Sequence, residues 1–121
     1  MSGGDGPKRY DLEERTEAFA KRVRAFVKQL PRLDANVSDG RQLIRSSGSV
    51  GANYIEANES LSKKDFLCRI KISRKESKES RYWLRLLDTC DDARLETTRA
   101  QLVQEATELM AILSSIYRSS E

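Results

Sequence analysis

The sequence predicts an all-α protein, an antiparallel up-down-up-down four-helix bundle, and three observations lead there. Apolar residues recur at spacings of three and four along nearly the whole chain, and no alternating run marks a strand. Breaks near Pro31, Ser60 and Asp91 divide the chain into four helical segments joined by short connections. The chain has 121 residues, 34% charged and 38% hydrophobic, with only two prolines, which suits one compact helical domain and is too short for two. Residues 1–9 are expected as a flexible tail, and residues 10–119 as the single domain.

The first helix is expected over about residues 11–30. Leu12, Thr16, Phe19, Val23, Phe26 and Leu30 follow a 4-3-4-3-4 spacing, a seam that faces other helices, and Pro31 ends it. After a short connection the second helix runs over about 37–58, with Asp34, Asn36 or Ser38 available as N-cap. One of its faces carries Leu43, Ser47, Val50, Tyr54 and Ala57. Ser62-Lys-Lys-Asp65 approximates a capping box and opens a third helix over about 62–89. Its core stripe is Phe66, Ile70, Ser73, Ser77, Ser80, Leu84 and Leu87. Asp88 to Asp92 form a polar turn, and the fourth helix, over about 93–118, carries Leu95, Leu102, Ala106, Leu109, Leu113 and Ile116.

The second helix contains a stretch with low helix propensity. Arg45 to Asn58 holds two glycines and three serines, and each glycine costs a helix roughly 0.5–1 kcal/mol. Small residues allow another backbone to come close, so the stretch is expected to pack tightly, with Ser73, Ser77 and Ser80 of the third helix as partners. Apolar residues also extend beyond the seam. Ile72, Trp83 and Leu86 lie roughly 120° from the serine stripe of the third helix. Such a face calls for a partner, most economically a second copy of the chain.

Composition excludes several chemistries. There is no histidine, which removes Ser-His-Asp and Cys-His nucleophiles, His-containing zinc sites and Glu-x-x-His iron sites. Cys68 and Cys90 are too few for an all-cysteine zinc site and fit no redox spacing. No cofactor is expected. Residues 1–7 have no apolar core of an export signal, and no apolar run approaches the ~18 residues of a membrane span, so a cytoplasmic protein without membrane contact is expected. The Asn-x-Ser sequons at Asn36 and Asn58 are then coincidental.

Charge is unevenly distributed. Residues 62–87 hold nine Lys or Arg and three Asp or Glu, a net of +6, while residues 88–121 hold three basic and seven acidic residues, a net of −4. Lys71, Arg74, Lys78, Arg81 and Arg85 recur at 3-4-3-4 spacing on the third helix, and Lys64 extends the row. This ridge could track a phosphate backbone, be solvated, or meet the acidic fourth helix of a neighbouring copy. No aromatic side chains are expected to interleave with it, which weakens base-stacking modes of binding.

A second set is polar and expected to be buried. Arg45, Ser49, Asn53 and Glu56 form a stripe on the second helix, and Glu76 and Glu79 share a face with Ile72 and Trp83 on the third. An arginine opposite two carboxylates reads as an ion-pair network that sets register or partner choice, and burial would make Arg45→Ala cost several kcal/mol. The alternative is catalytic. Glu56-x-x-Glu59 followed by Glu76-x-x-Glu79 resembles the paired acidic motifs of all-α nucleoside-triphosphate pyrophosphohydrolases, which hold Mg²⁺ against phosphates. That family's pattern ends in Asp where this chain has Glu79, and Glu59 falls in the turn before Ser62. The serine- and glycine-rich stretch lacks Gly-Lys-Ser/Thr and a preceding strand, so it is not a P-loop.

Longer segments carry a more specific resemblance. Arg45-Ser-Ser-Gly-Ser-Val-Gly-Ala-Asn-Tyr-Ile-Glu-Ala-Asn-Glu-Ser-Leu-Ser-Lys-Lys-Asp-Phe66 resembles the signature of the 23S rRNA intervening-sequence protein family, also called four helix bundle proteins. Tyr10-Asp-Leu-Glu-Glu-Arg-Thr16 is similar to that family's start, and Arg74-Lys-Glu-Ser-Lys-Glu-Ser-Arg-Tyr-Trp-Leu-Arg-Leu-Leu87 to its third helix. The resemblance implies a small bacterial protein, a left-handed antiparallel bundle assembled into a ring-like homopentamer, and no established enzymatic activity. It also implies recurrent polar positions at Arg45, Ser49, Asn53, Glu56, Glu76 and Glu79. Accessory proteins of diversity-generating retroelements form similar pentamers that contact a reverse transcriptase and nucleic acid, a connection by fold alone. The expected function is a non-enzymatic interaction module that binds itself and RNA, or an RNA-associated protein; a purely structural assembly protein is the alternative beside the pyrophosphohydrolase.

Overall fold

A computed structural model describes residues 7–121, with side chains from residue 12 onward. Four helices make up the fold: α1 (Pro7–Gln29), α2 (Asp34–Asn58), α3 (Lys63–Leu86) and α4 (Ala93–Ser120). No strand occurs among the described residues. Among the described residues each helix packs only on its two neighbours around a square, α1 on α2, α2 on α3, α3 on α4 and α4 on α1. Short connections make consecutive helices antiparallel, the up-down-up-down arrangement. The first six residues of the expected tail lie outside the described residues, and α1 begins at Pro7, before the expected residue 11.

The seams supply the core. Leu12, Thr16, Phe19, Val23, Phe26 and Leu30 of the α1 seam are all buried, as are Leu43, Ser47, Val50, Tyr54 and Ala57 of α2. On α3, Ile70, Ser73, Ser77, Ser80 and Leu84 are buried with Leu87 just beyond, and Phe66 is half-buried. On α4, Leu95, Leu102, Ala106, Leu109 and Leu113 are buried, and Ile116 is half-buried.

Several boundaries differ from expectation for tertiary reasons. The α2 helix starts at Asp34, and its N-cap is Leu33, which has no side chain able to cap. Asp34, in the first turn, instead places a carboxylate at the positive end of the helix dipole. Asn36 lies inside α2, buried, and its amide donates to the Pro31 carbonyl (3.0 Å) and the Asp88 carbonyl (2.8 Å), while its oxygen accepts from the Asp88 amide (2.9 Å). It thereby ties the α1–α2 corner to the α3–α4 turn. The α3 helix stops at Leu86 rather than near Thr89. Its C-terminal carbonyls are taken by Arg99 of α4, which donates to Leu84 (3.3 Å) and, at very short range, to Leu87. The turn then closes through Cys90 and Asp91, both in the left-handed region at φ 54° and 62°. Asp92 caps α4 by accepting from the Arg94 and Leu95 amides at 2.9 and 3.0 Å. Ser62 caps α3 by accepting from Asp65 at 3.1 Å.

The small residues of α2 divide between two neighbours. Serines serve the α2–α3 contact: the Ser73 hydroxyl donates to the Val50 carbonyl at 2.7 Å, and the Ser46 and Ser80 hydroxyls lie 2.8 Å apart. Ser77 donates to Ser73 one turn back, so these buried hydroxyls are all partnered. The glycines serve α1 instead. A Cβ on Gly51 would lie 2.7 Å from Thr16 Oγ1, and one on Gly40 would lie 3.1 Å from Val27 Cγ1. The expectation that Gly48 and Gly51 face the serines of α3 is therefore corrected. Helical geometry sets them about 100° or more from Ser46 and Val50.

Candidate functional site

The basic ridge runs along α3 at its border with α4. Lys64, Lys71, Lys78 and Arg85 are exposed, and Arg74 and Arg81 are half-buried. The α4 helix supplies neutral partners. Arg81 donates to the Thr107 hydroxyl at 3.2 Å, and Lys71 Nζ and the Arg74 guanidinium carbon each lie 6.0 Å from the centre of the Tyr117 ring. Aromatic side chains do therefore meet the ridge, contrary to expectation: Tyr117 from the neighbouring helix, and exposed Tyr82 on α3 itself, four residues after Lys78 and three before Arg85. Position 117 flanks the α4 seam, which is the signal that could have placed it.

Among the described residues, none of the six ridge cations lies within ion-pair distance of a carboxylate. The acidic residues of α4 are turned elsewhere. Arg15 of α1 makes a two-pronged contact with Glu105 at 2.7 and 2.9 Å and reaches Glu108 at 2.6 Å. Its ionisation is driven further up, chiefly by the Glu105 hydrogen bond. Glu108 is held below the usual carboxylate range by Gln104 and Arg15. Glu96 is held below it too, first by the Thr89 hydroxyl and then by Arg99.

The polar set lies on the opposite flank of α3, on the outer lip of its seam with α2. Arg45 Nη2 is 3.4 Å from Glu76 and in very short contact with Glu79. The Trp83 indole N–H donates to Glu79 at 3.0 Å. Burial opposes the charge on Glu79, but the Trp83 and Arg45 hydrogen bonds outweigh it, and the carboxyl stays below its ordinary range. Arg45 is correspondingly more basic, mainly through Glu79. Asn53 donates to the Ser49 carbonyl at 2.9 Å and accepts from Arg69 at 3.0 Å, a partner that sequence reasoning missed. Glu56 is exposed and takes part in no ion pair among the described residues.

The expectation of a buried network is corrected at Arg45, whose side chain is 47% exposed, against 12% for Glu76 and 29% for Glu79. Beside the network the second apolar face of α3 is open. Ile72 and Trp83 are half-buried, Tyr82 stacks edge-on against Trp83 with 5.1 Å between ring centres, and Tyr82 and Leu86 are exposed.

Glu56, Glu59, Glu76 and Glu79 do not come together as a cation site. Glu59 is the C-cap of α2, Glu76 and Glu79 are both in ion-pair contact with Arg45, and no three Asp, Glu or Cys residues among those described could hold a metal ion. Cys68 and Cys90 are free and exposed. A shallow cleft of about 230 Å³ at the α1–α2 corner is lined by Val27, Pro31, Val37 and Ile44 among others, and the amide of Asn36 beside it is engaged by backbone. No described helix is long and apolar enough to cross a membrane.

Comparison with known proteins agrees with this architecture. One solved structure, a protein of unknown function from the S23 ribosomal protein family of Bacteroides thetaiotaomicron, superposes with a TM-score of 0.79. The two sequences are 29% identical, over 92% of this chain and 98% of that one. No curated protein matches the chain. The model of the 23S rRNA-intervening sequence protein family matches residues 8–115. With the seam residues, the four helices and nearly the full length accounted for, this chain belongs to the 23S rRNA-intervening sequence protein family.

Proposed function

We propose that the protein is a non-enzymatic, cytoplasmic interaction module that binds RNA through the α3 ridge and assembles with copies of itself, as a homopentamer, through the outer α2–α3 face. One observation carries the RNA reading. Lys64, Lys71, Arg74, Lys78, Arg81 and Arg85 stand along one helix edge with no carboxylate of the described residues within ion-pair reach, while Glu96, Glu105 and Glu108 of α4 are engaged by Arg99 and Arg15. A row of unneutralised cations about one helical turn apart attracts a polyanion. The self-association reading is supported by Tyr82 and Leu86, exposed beside Trp83 and the Arg45–Glu76–Glu79 cluster. Aromatic and arginine side chains are enriched in interface centres.

A salt titration tests the RNA reading. Binding of a fluorescent single-stranded RNA should weaken as salt rises, with a log–log slope of roughly −4 if all six cations contact phosphates. The double variant Lys71→Glu/Lys78→Glu should abolish binding and leave the thermal melt unchanged. Tight binding with no salt dependence, or wild-type affinity in that variant, would remove the ridge from the function. Sedimentation of wild type and Trp83→Ala tests assembly: a smaller species for the variant supports it, and a monomeric wild type refutes it.

A further inference from the structure

The meeting of Tyr117 with the ridge points to how RNA is held, an inference that rests on the ridge reading above. Tyr117 is half-buried and its ring packs against the hydrophobic core, so the side chain is anchored. Arg74 lies over that ring with its guanidinium carbon 6.0 Å from the ring centre. It makes no hydrogen bond or ion pair to any other described residue. Two stacking contacts of ~3.5 Å each need a gap of about 7 Å. A flat ring would therefore fit between tyrosine and guanidinium after an outward shift of the arginine by about 1 Å, a small movement for an unpaired, flexible side chain.

We propose that Tyr117 and Arg74 are the two jaws of a clamp for one unpaired nucleobase, so that the ridge takes single-stranded rather than duplex RNA. Stacking on the tyrosine is indifferent to base identity because every base presents a π-face, and the guanidinium adds a cation–π contact on the other side. Lys71, also 6.0 Å from the ring centre, is placed for the phosphate next to the clamped base. Lys78 and Arg85 follow at steps of seven residues, about 10.5 Å along the axis, for phosphates further on. Bases of a duplex are already stacked and cannot enter the clamp.

The test compares three probes by fluorescence anisotropy: an oligoadenylate of about 12 nucleotides, an abasic ribose-phosphate strand of the same length, and a matched RNA duplex. The wild type should prefer the oligoadenylate over the abasic strand by about 5- to 150-fold, the range of a single base-stacking contact. Tyr117→Phe should keep that preference and Tyr117→Leu should erase it. If Tyr117→Leu melts well below wild type, Arg74→Met is read in its place and should narrow the preference. Equal affinity for the oligoadenylate and the abasic strand, with Lys78→Glu weakening both, overturns the clamp and leaves the ridge standing. A preference that survives Tyr117→Leu also overturns the clamp, as does tighter binding of the duplex. Failure of wild type to bind any probe removes the ridge reading and the clamp together.

Discussion

Asn36 and Asp88, 52 positions apart, exchange two hydrogen bonds in which the Asn36 side chain takes the place of a backbone partner for Asp88, at 2.8 and 2.9 Å. The same amide also holds the Pro31 carbonyl at 3.0 Å, so one buried side chain fastens the two connections at one end of the bundle. The N-cap of α2, Leu33, offers no side-chain acceptor, and the end of α3 has locally only the Leu87 amide donating to the Trp83 carbonyl at 3.3 Å. Asn36 and Arg99 supply across the fold what local sequence does not.

Replacing Asn36 by Ala should therefore cost about 2–3 kcal/mol, because two carbonyls and one amide lose their partner in a buried site. Urea denaturation should show a lower midpoint with an unchanged m-value. A loss below about 0.5 kcal/mol would mean that water takes over these groups.

The glycines of α2 should separate by neighbour. Gly51→Ala would press a methyl onto Thr16, at 2.7 Å from its hydroxyl, and should cost about 1–3 kcal/mol. The double variant Thr16→Ala/Gly51→Ala should recover part of that loss. At Gly48 the nearest atom to a new Cβ is the end of Arg24 at 3.7 Å, so Gly48→Ala should stabilise by roughly 0.5–1 kcal/mol through helix propensity. Thermal melts of the three variants decide this; equal effects at positions 48 and 51 would contradict the packing described.

Arg45→Ala should destabilise the isolated chain by only about 1 kcal/mol, the scale of a solvent-exposed pair, since the arginine is 47% exposed. If the α2–α3 face is buried in an assembly, the same variant should act much more strongly on self-association. Chemical denaturation at low protein concentration and sedimentation at high concentration measure the two effects. A loss of several kcal/mol in the monomer would show a buried network after all.

Glu79 sets a pH dependence. Its carboxyl is below the ordinary value of 4.5 in the folded chain, so it contributes stability that is fully present above that value and is lost as pH falls through the folded one. Glu79→Gln keeps an acceptor for the Trp83 indole but cannot hold the charge. The stability gap between wild type and this variant should be constant near neutral pH and shrink below about pH 4.5. Denaturation series at neutral and acidic pH measure it, and a gap that widens on acidification would reverse the sign argued here.

The four helices and their buried faces were legible because helical periodicity is local. Leu12 to Leu30 and Leu95 to Leu113 declare an inward face by spacing alone, and Ser62 and the polar turn around Asp92 mark helix starts through bonds a few residues long. The pairing of Arg45 with Glu76 and Glu79 was also legible, since each shares a helix face with its group. The exposure of Arg45 was not, because it depends on how far the outer lip of α2 and α3 projects from the core.

By itself the amino-acid sequence determined the helical class, the number of helices, the core stripes and the family signature, all of which rest on short-range spacing. Only the tertiary structure decided that the α2 glycines meet α1 while the serines meet α3, and that Arg99 and Asn36 end α3 early. Only it placed Tyr117 against Lys71 and Arg74, with the α4 carboxylates turned toward Arg15. These contacts join residues 12 to 93 positions apart, and their geometry depends on how the helices are rotated about their axes. That rotation minimises voids over the whole core and cannot be read from any one segment.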